Sequence, residues 1–496
     1  MSMEIHDHLY LILPSIVFFF ILHAMIDLYR KSGFPPGPVG FPVIGNLLEL
    51  GPKPHESLAK LAAKHGPLMT VRLGSITSVV ASTPDAAREI LQRKDEACSG
   101  RPTPHALTAL KDPEAAMLWM SPNETWRASR KALNIYLTNQ QKIDTLGGLR
   151  QNVMDGTVEF IRESAKKKVS LDIGKLAFVV ALNQLSNALL SCNMTGYESD
   201  NARGFKMATE TAMEVLGKFN VADMFPVLKP LDPQNLRRRA KVAYKWLDEE
   251  IEGFVSERLK HPELRFGDML DSLLEYSREH EDRFSLVHIK ALLVDVFIPG
   301  TDTVSNAVTW IMTELLRSPP NVLLRVREEV SQIVGKDKKI IEEKILDLPY
   351  LHAVIKESMR LHTPAPLLAP HKTEMEVKLG NYTIPAKTQI LVNAWAVARD
   401  PSYWESPSSF MPERFLRDKN IDYKGQHFEF IPFGSGRRRC PGMMLAPRMV
   451  SLMVASFVYH FDWKLPHAKD EMNMNDVFGL SLHKETPLVA TPIVTS

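Results

Sequence analysis

Apolar residues run almost unbroken from Leu9 to Tyr29 (LYLILPSIVFFFILHAMIDLY), about the 20 residues an α-helix needs to cross a bilayer's hydrocarbon core. Pro14, His23 and Asp27 interrupt the run, and the basic pair Arg30-Lys31 follows it. A cleaved signal peptide wants its basic residues in front, so the pattern predicts a single uncleaved transmembrane helix over residues 1–31. The positive-inside tendency puts the rest of the chain in the cytosol. FPPGPVGFPVIGN, Phe34 to Asn46, follows with four prolines and three glycines, which exclude helix and regular strand. It predicts a stiff hinge over residues 32–46. No second linker, repeat or long charge block interrupts residues 47–496, which predicts one large unit.

Within that unit most segments show helical periodicity. The clearest is Leu286 to Ser318: Ile289, Leu292, Leu293, Val296 and Phe297 share one face, and Val304, Val308, Ile311, Met312 and Leu315 repeat it. A stripe this wide predicts a helix through the core. Its middle reads IPGTDT, so Pro299 and Gly300 are expected to break or kink it beside Asp302 and Thr303. Strand-like patches are few. Pro67 to Ser82 predicts a hairpin, and VKLGNYTIP with TQILVNAWAV predicts a small sheet around a Gly-Asn turn. The fold class is therefore mainly α with small β-sheets.

Composition adds exclusions. With 45% hydrophobic residues, 24% charged and a net charge of +2, the chain supports a large core and shows no basic stripe for nucleic acid. Its three cysteines, Cys98, Cys192 and Cys440, are far apart with no CxxC pair. Neither a disulfide framework nor a zinc site follows, and a reducing compartment does. FGSGRR lacks the third glycine of a dinucleotide loop. His55 and His65 have no metal-ligand spacing and are expected at the surface.

Cys440 is the exception among the cysteines. In FGSGRRRCPG it follows three arginines and precedes a segment apolar at helical spacing, so it should sit at a helix N-terminus where dipole and cations favour thiolate. Covalent nucleophile, redox thiol and metal ligand all compete for such a thiolate. The chain shows no local signature of a resolving thiol or general base, whereas haem offers iron for the sulfur and propionates for the arginines.

FGSGRRRCPG matches the FxxGxRxCxG signature of the cytochrome P-450 monooxygenases at Phe433, Gly436, Arg438, Cys440 and Gly442. ESMR (Glu357, Arg360), PERF with Arg414, and WRASR (Trp126, Arg130) resemble further motifs of that family in the right order. The resemblance covers the whole chain, in the plant microsomal form. It implies haem b with Cys440 as axial thiolate, and propionates held by Trp126, Arg130 and Arg438. It also implies a structural lock of Glu357, Arg360 and Arg414, and Asp302 and Thr303 as the acid and alcohol that supply protons during oxygen activation. Threonine in a helix also commonly bonds back to a carbonyl, which is the plainer reading of Thr303.

Some positions depart from the family pattern. Pro299 replaces a small residue, and His371 stands where an arginine commonly contacts a propionate; a histidine there implies a weaker contact, sensitive to pH near neutrality. Pro447 lies inside the helix after Cys440. By the same resemblance, Ile298, Pro299, Leu367, Leu368, Ala369, Phe478, Gly479 and Leu480 line the substrate pocket, an almost wholly apolar set. LDPQNLRRRA, KGQHFEFIPFGSGRR and FDWKL resemble the plant group containing geraniol hydroxylases and abietane diterpene oxidases. The implied activity is hydroxylation of a terpenoid, first an abietane-type diterpenoid, with successive oxidation at one carbon possible for such enzymes. Electrons would come from NADPH through NADPH-cytochrome P-450 reductase on the endoplasmic reticulum membrane, with lipid around the anchor. The alternatives are a monoterpenoid or other small apolar substrate, or a reductase-independent haem-thiolate isomerase; a haem-binding scaffold without catalysis would not need the acid-alcohol pair.

Overall fold

The long apolar stripe organises the core. In the computed structural model, which describes residues 33–334, 339–418 and 420–495, the stripe forms one helix, Leu286–Arg317, started by a capping box between Ser285 and His288. It runs beside Ile173–Leu190, a helix buried nearly all round, as the centre of a large domain requires. The sequence predicts a break or kink at Pro299-Gly300; no break occurs, and the helix runs on through both residues. Proline deletes only the N–H that would bond the Asp295 carbonyl, a cost of about 3 kcal/mol. Core packing on both sides of the turn outweighs it.

The expected membrane helix lies outside the described residues. Among the described residues one helix, Ile173–Leu190, is long and apolar enough to cross a membrane, and 83% of it is buried inside the protein. The proline-rich segment lies along the first hairpin. Thr70 donates its N–H to the Pro36 carbonyl at 2.9 Å, and Gly37 comes so close that a Cβ there would stand 1.9 Å from the Thr70 oxygen. Only glycine fits.

Leu68–Leu73 and Ile76–Ala81 pair antiparallel as the pattern predicts. Val377–Leu379 and Tyr382–Ile384 close the expected Gly-Asn hairpin, with Gly380 at φ 57°. Gln389–Val392, however, does not join that hairpin. It pairs parallel with Ile76–Ala81 and antiparallel with His371–Lys372, making a four-stranded sheet. The alternation of apolar residues cannot name a strand's partner. This sheet carries His371 on its edge, and the bridge from Gly100 to Lys372 holds Arg101 next to it.

Glu357 and Arg360 lie on the helix Pro349–Leu361 with no exposed side-chain surface. Arg360 uses all five donors: Nε and one terminal nitrogen reach the two Glu357 oxygens at 2.8 and 2.9 Å, and the remaining N–H groups reach the Ala398, Pro407 and Ser409 carbonyls. Glu357 also accepts from Arg414 at 3.1 Å and from the Met411 N–H at 2.8 Å. Such a fully satisfied fork joins the helix to the segment carrying PERF, Pro412 to Phe415, which precedes the Cys440 segment in the chain.

Candidate active site

Tight backbone turns place Cys440. Gly436 has φ +68°, and a Cβ on it would stand 2.1 Å from the Leu91 oxygen, so the loop can cross there only as glycine. The Cys440 N–H donates to the Phe433 carbonyl at 2.9 Å. A 3-10 turn, Pro441–Met443, then leads into the helix Leu445–His460. Pro447 falls in that helix's first turn, where no N–H is needed, which accounts for its presence. The sulfur lies deep in the protein, though a cavity makes the residue partly accessible. Burial pushes the thiol's pKa up, and it outweighs the N–H groups of Gly442 and Met443 and the charges of Arg130 and Arg439, which pull it down. Burial thus opposes the thiolate that the neighbouring arginines favour, and a bound metal cation would offset that cost.

Beside Cys440 stands a group of cations, Arg101, Arg130 and Arg438, that form no ion pair within 4 Å among the described residues, although Glu374 and Asp95 lie near enough to Arg438 to favour its charge. Arg101 is 4% exposed and donates to the Ala369 and Pro370 carbonyls, while its buried Nε has no partner. Arg130, on the helix Glu124–Leu133, donates to the Arg439 carbonyl. Arg438 donates to the Ser99 and Met120 carbonyls and stacks 4.8 Å from the Trp126 ring centre. Burial lowers the pKa of all three; Arg438 further lowers Arg101, to about 9, and Arg130 further lowers Arg438, to about 10. Buried cations that repel one another call for a bound dianion, and the two haem propionates match that need. The residues present therefore fit haem.

His371 lies among these groups, 4% exposed, with Nδ1 2.8 Å from the Cys98 carbonyl. Burial, then Arg101 and Arg438, hold its pKa well below the usual histidine range. The expected pH-sensitivity near neutrality is thereby corrected: this imidazole stays neutral, and its one N–H, at Nδ1, is spent on the Cys98 carbonyl. Arg101 escaped sequence reasoning because nothing local marks it, its carbonyl partners being 268 and 269 residues away. Arg101→Met should weaken haem retention roughly ten- to hundredfold, the worth of a charge-assisted hydrogen bond. Haem transfer to apomyoglobin measures this, and an unchanged transfer rate would remove Arg101 from the site.

One cavity joins Cys440, Trp126, Arg101, Arg130, Arg438 and His371 on one side to Pro299, Gly300, Thr303, Val304 and Ala307 of the long helix on the other. Leu368, Ala369 and Leu480 line it as expected; Ile298, Leu367, Phe478 and Gly479 do not. Ile298 lies a third of a turn from Pro299 and faces the core. Leu367 packs into the sheet's own cluster, and Phe478 stacks on Phe219 and His55. Single-residue shifts decide such faces. His55 itself is fully buried, not at the surface, and burial lowers its pKa to about 4.

Thr303 Oγ borders the cavity but donates to the Pro299 carbonyl at 2.7 Å, the plainer role weighed for it. Asp302, 1% exposed, is turned away from the cavity. A second carboxyl, unforeseen from sequence, does border it: Asp295, whose pKa burial raises to about 7 against the N–H groups of Leu118 and Met117 that lower it. It fastens the loop before Glu124 to the long helix.

Comparison with known proteins agrees with this geometry. The family model described as Cytochrome P-450 matches residues 35–490. Geraniol 8-hydroxylase of Swertia mussotii is 41% identical over 471 residues, covering 94% of this chain and 95% of that protein. Ferruginol synthase of Isodon rubescens is 38% identical over 488 residues, 97% and 99%. With the cysteine turn, the cation group and the Glu357–Arg360 lock in place, the chain belongs to the cytochrome P-450 family.

Proposed function

We propose that this plant-type monooxygenase hydroxylates a terpenoid, first an abietane-type diterpenoid, with successive oxidation at the same carbon within its range. The carrying observation is a single apolar cavity with Cys440 at one wall and Thr303 at the other. Relatives named for geraniol and ferruginol support the substrate class. A cavity lined by Met117, Leu118, Leu185, Val296, Leu368 and Leu480 selects by shape and excludes water. A monoterpenoid is the second reading, favoured by the higher identity to geraniol 8-hydroxylase.

Haem held by the Cys440 thiolate supplies the oxygen chemistry, the thiolate favouring O–O cleavage. Trp126, Arg130, Arg438 and Arg101 would bind and orient it. Thr303 Oγ turns from the Pro299 carbonyl into the cavity to pass a proton, and Asp302 refills it. Electrons come from NADPH through a membrane-bound reductase at the endoplasmic reticulum. Arg439, exposed, supplies positive charge for that partner's acidic face, whereas Arg437 is already paired with Asp95 at 3.2 Å and Glu96 at 3.5 Å.

The substrate is tested by titrating geraniol and an abietane diterpene against the ferric spectrum and then assaying both with NADPH and reductase. A spin-state change and a hydroxylated product with the diterpene support the reading; product from geraniol alone selects the monoterpenoid. In Thr303→Ala, product per NADPH should fall by roughly 10²-fold, the lower end for a positioned proton donor. Unchanged coupling would leave Thr303 with only its bond to the helix carbonyl.

A further inference from the structure

Turned from the cavity, Asp302 meets the C-terminal hairpin Asp476–Val477/His483–Lys484. Its Oδ2 accepts the Ser481 hydroxyl at 2.5 Å, and its Oδ1 lies 3.3 Å from His483 Nε2. The same Nε2 is 2.8 Å from Ser481 Oγ. Ser481 is fully buried, whereas 23% of the His483 side chain reaches the surface. Asn306, one turn further along the helix, stands 3.4 Å from Oδ2 and 3.3 and 3.5 Å from the two ring nitrogens, so it fixes neither tautomer. A short hydrogen-bonded chain thus connects solvent with a carboxyl inside the long helix, and Thr303 at the cavity is the next residue.

We propose that His483, acting through Ser481, is the positioning residue that reloads Asp302 with protons from the surface. The inference rests on the proton-delivery reading of Asp302 and Thr303 given above. The His483 imidazolium passes its Nε2 proton to Ser481 Oγ while the Ser481 hydroxyl proton moves to Asp302 Oδ2. The serine is unchanged, the imidazole is neutral, and the carboxyl is a neutral acid; water then reprotonates His483. Once neutral, Asp302 loses its charge attraction to the hairpin and is free to turn toward Thr303.

The surroundings favour the charged ring. Burial opposes the imidazolium, but Asp302 outweighs it, and His483 is held above the usual histidine range. On the neighbouring helix Asp200–Gly217, Glu210 adds to the stabilisation, and Lys206, paired with Glu210, subtracts from it. Lys484, on the ring's own strand, is committed to the Asn473 and Thr486 carbonyls. A raised pKa means the relay is charged at low pH and fails as pH rises through that value.

The test uses the full-length holoenzyme with its reductase, comparing His483→Phe, Ser481→Ala, Ser481→Thr and Asp302→Asn. Two readouts are needed: product per NADPH from neutral to alkaline pH, and the His483 ring titration by NMR on histidine-labelled protein, independent of turnover. The expected result is that His483 titrates above 6.5 and drops toward it in Asp302→Asn. His483→Phe and Ser481→Ala should lose coupling about tenfold, less than the 10²–10⁴ of a direct donor because water substitutes in part. Hydrogen peroxide should replace the missing product, the alkaline decline should flatten, and Ser481→Thr should restore both, with the carbon monoxide band intact throughout. Wild-type coupling and pH profile in His483→Phe and Ser481→Ala, while Asp302→Asn is impaired, would overturn the relay and leave the hairpin a structural latch. A wild-type His483 titrating at or below 6.5 would overturn it too. Wild-type coupling in Asp302→Asn as well would instead overturn the parent reading.

Discussion

Cys440→Ala is expected to abolish both the thiolate-type red-shifted Soret band of the reduced, carbon monoxide-treated protein and all monooxygenation. The sulfur sits where the Phe433–Pro441 turn fixes its direction and where the N–H groups of Gly442 and Met443 soften its negative charge. Removing it leaves the propionate side intact, because Arg101, Arg130 and Arg438 are held by carbonyls independent of residue 440's side chain. Haem should therefore still bind, with an unshifted band, and Cys440→Ser should resemble the alanine variant because oxygen donates less to iron than sulfur. Cys98→Ala and Cys192→Ala are the controls. Burial pushes the Cys98 thiol up to about 12 and raises that of Cys192, and neither borders the cavity, so both should keep the band. A red-shifted band surviving in Cys440→Ala would mean that another sulfur is the ligand, and the site as described would fall.

What the sequence made legible, and what it hid, follows from the distance over which each feature is written. The decapeptide around Cys440 carries its own turn and helix start, and Glu357 and Arg360 meet at i and i+3 on one helix. These are local and could be found by spacing. Arg101 and Ser481 take their places through partners far away in the chain, the Ala369 and Pro370 carbonyls 268 and 269 residues from Arg101, and Asp302 179 residues from Ser481. Nothing in RPTPHAL or GLSLHK signals such pairings. Faces were the other weak point, since Ile298 and Pro299, or Leu367 and Leu368, differ by one position and point to different clusters. Pro299 shows that local propensity yields to tertiary packing: a residue that would break an isolated helix is carried within one of 32 residues. At Cys440 the flanking arginines that favour thiolate are visible in sequence, and the depth of burial that opposes them is not.

Glu357→Gln is the substitution expected to cost most in stability. The change is nearly isosteric, so no cavity opens; what disappears is the charge that Arg360 faces with no solvent to replace it. Breaking a buried pair by removing one partner costs about 3–5 kcal/mol, since the remaining ion keeps its desolvation penalty. The amide nitrogen would also turn a donor toward the Arg360 and Arg414 guanidiniums or the Met411 N–H, all of which donate to Glu357. Folded population should fall by a factor of roughly a hundred to several thousand, seen as a lower melting temperature and a small haem-loaded fraction. Arg414→Lys should be milder, about 1 kcal/mol, because Lys still supplies the positive charge and loses only the fork. The decisive comparison is turnover per haem in whatever Glu357→Gln protein folds. A lock that only joins the helix Pro349–Leu361 to the PERF loop predicts an unchanged value, whereas turnover lost in proportion at full haem loading would make Glu357 part of the chemistry. The first outcome is expected because Glu357 does not border the cavity, and its bonds run to two arginines and a backbone N–H that do not border it either.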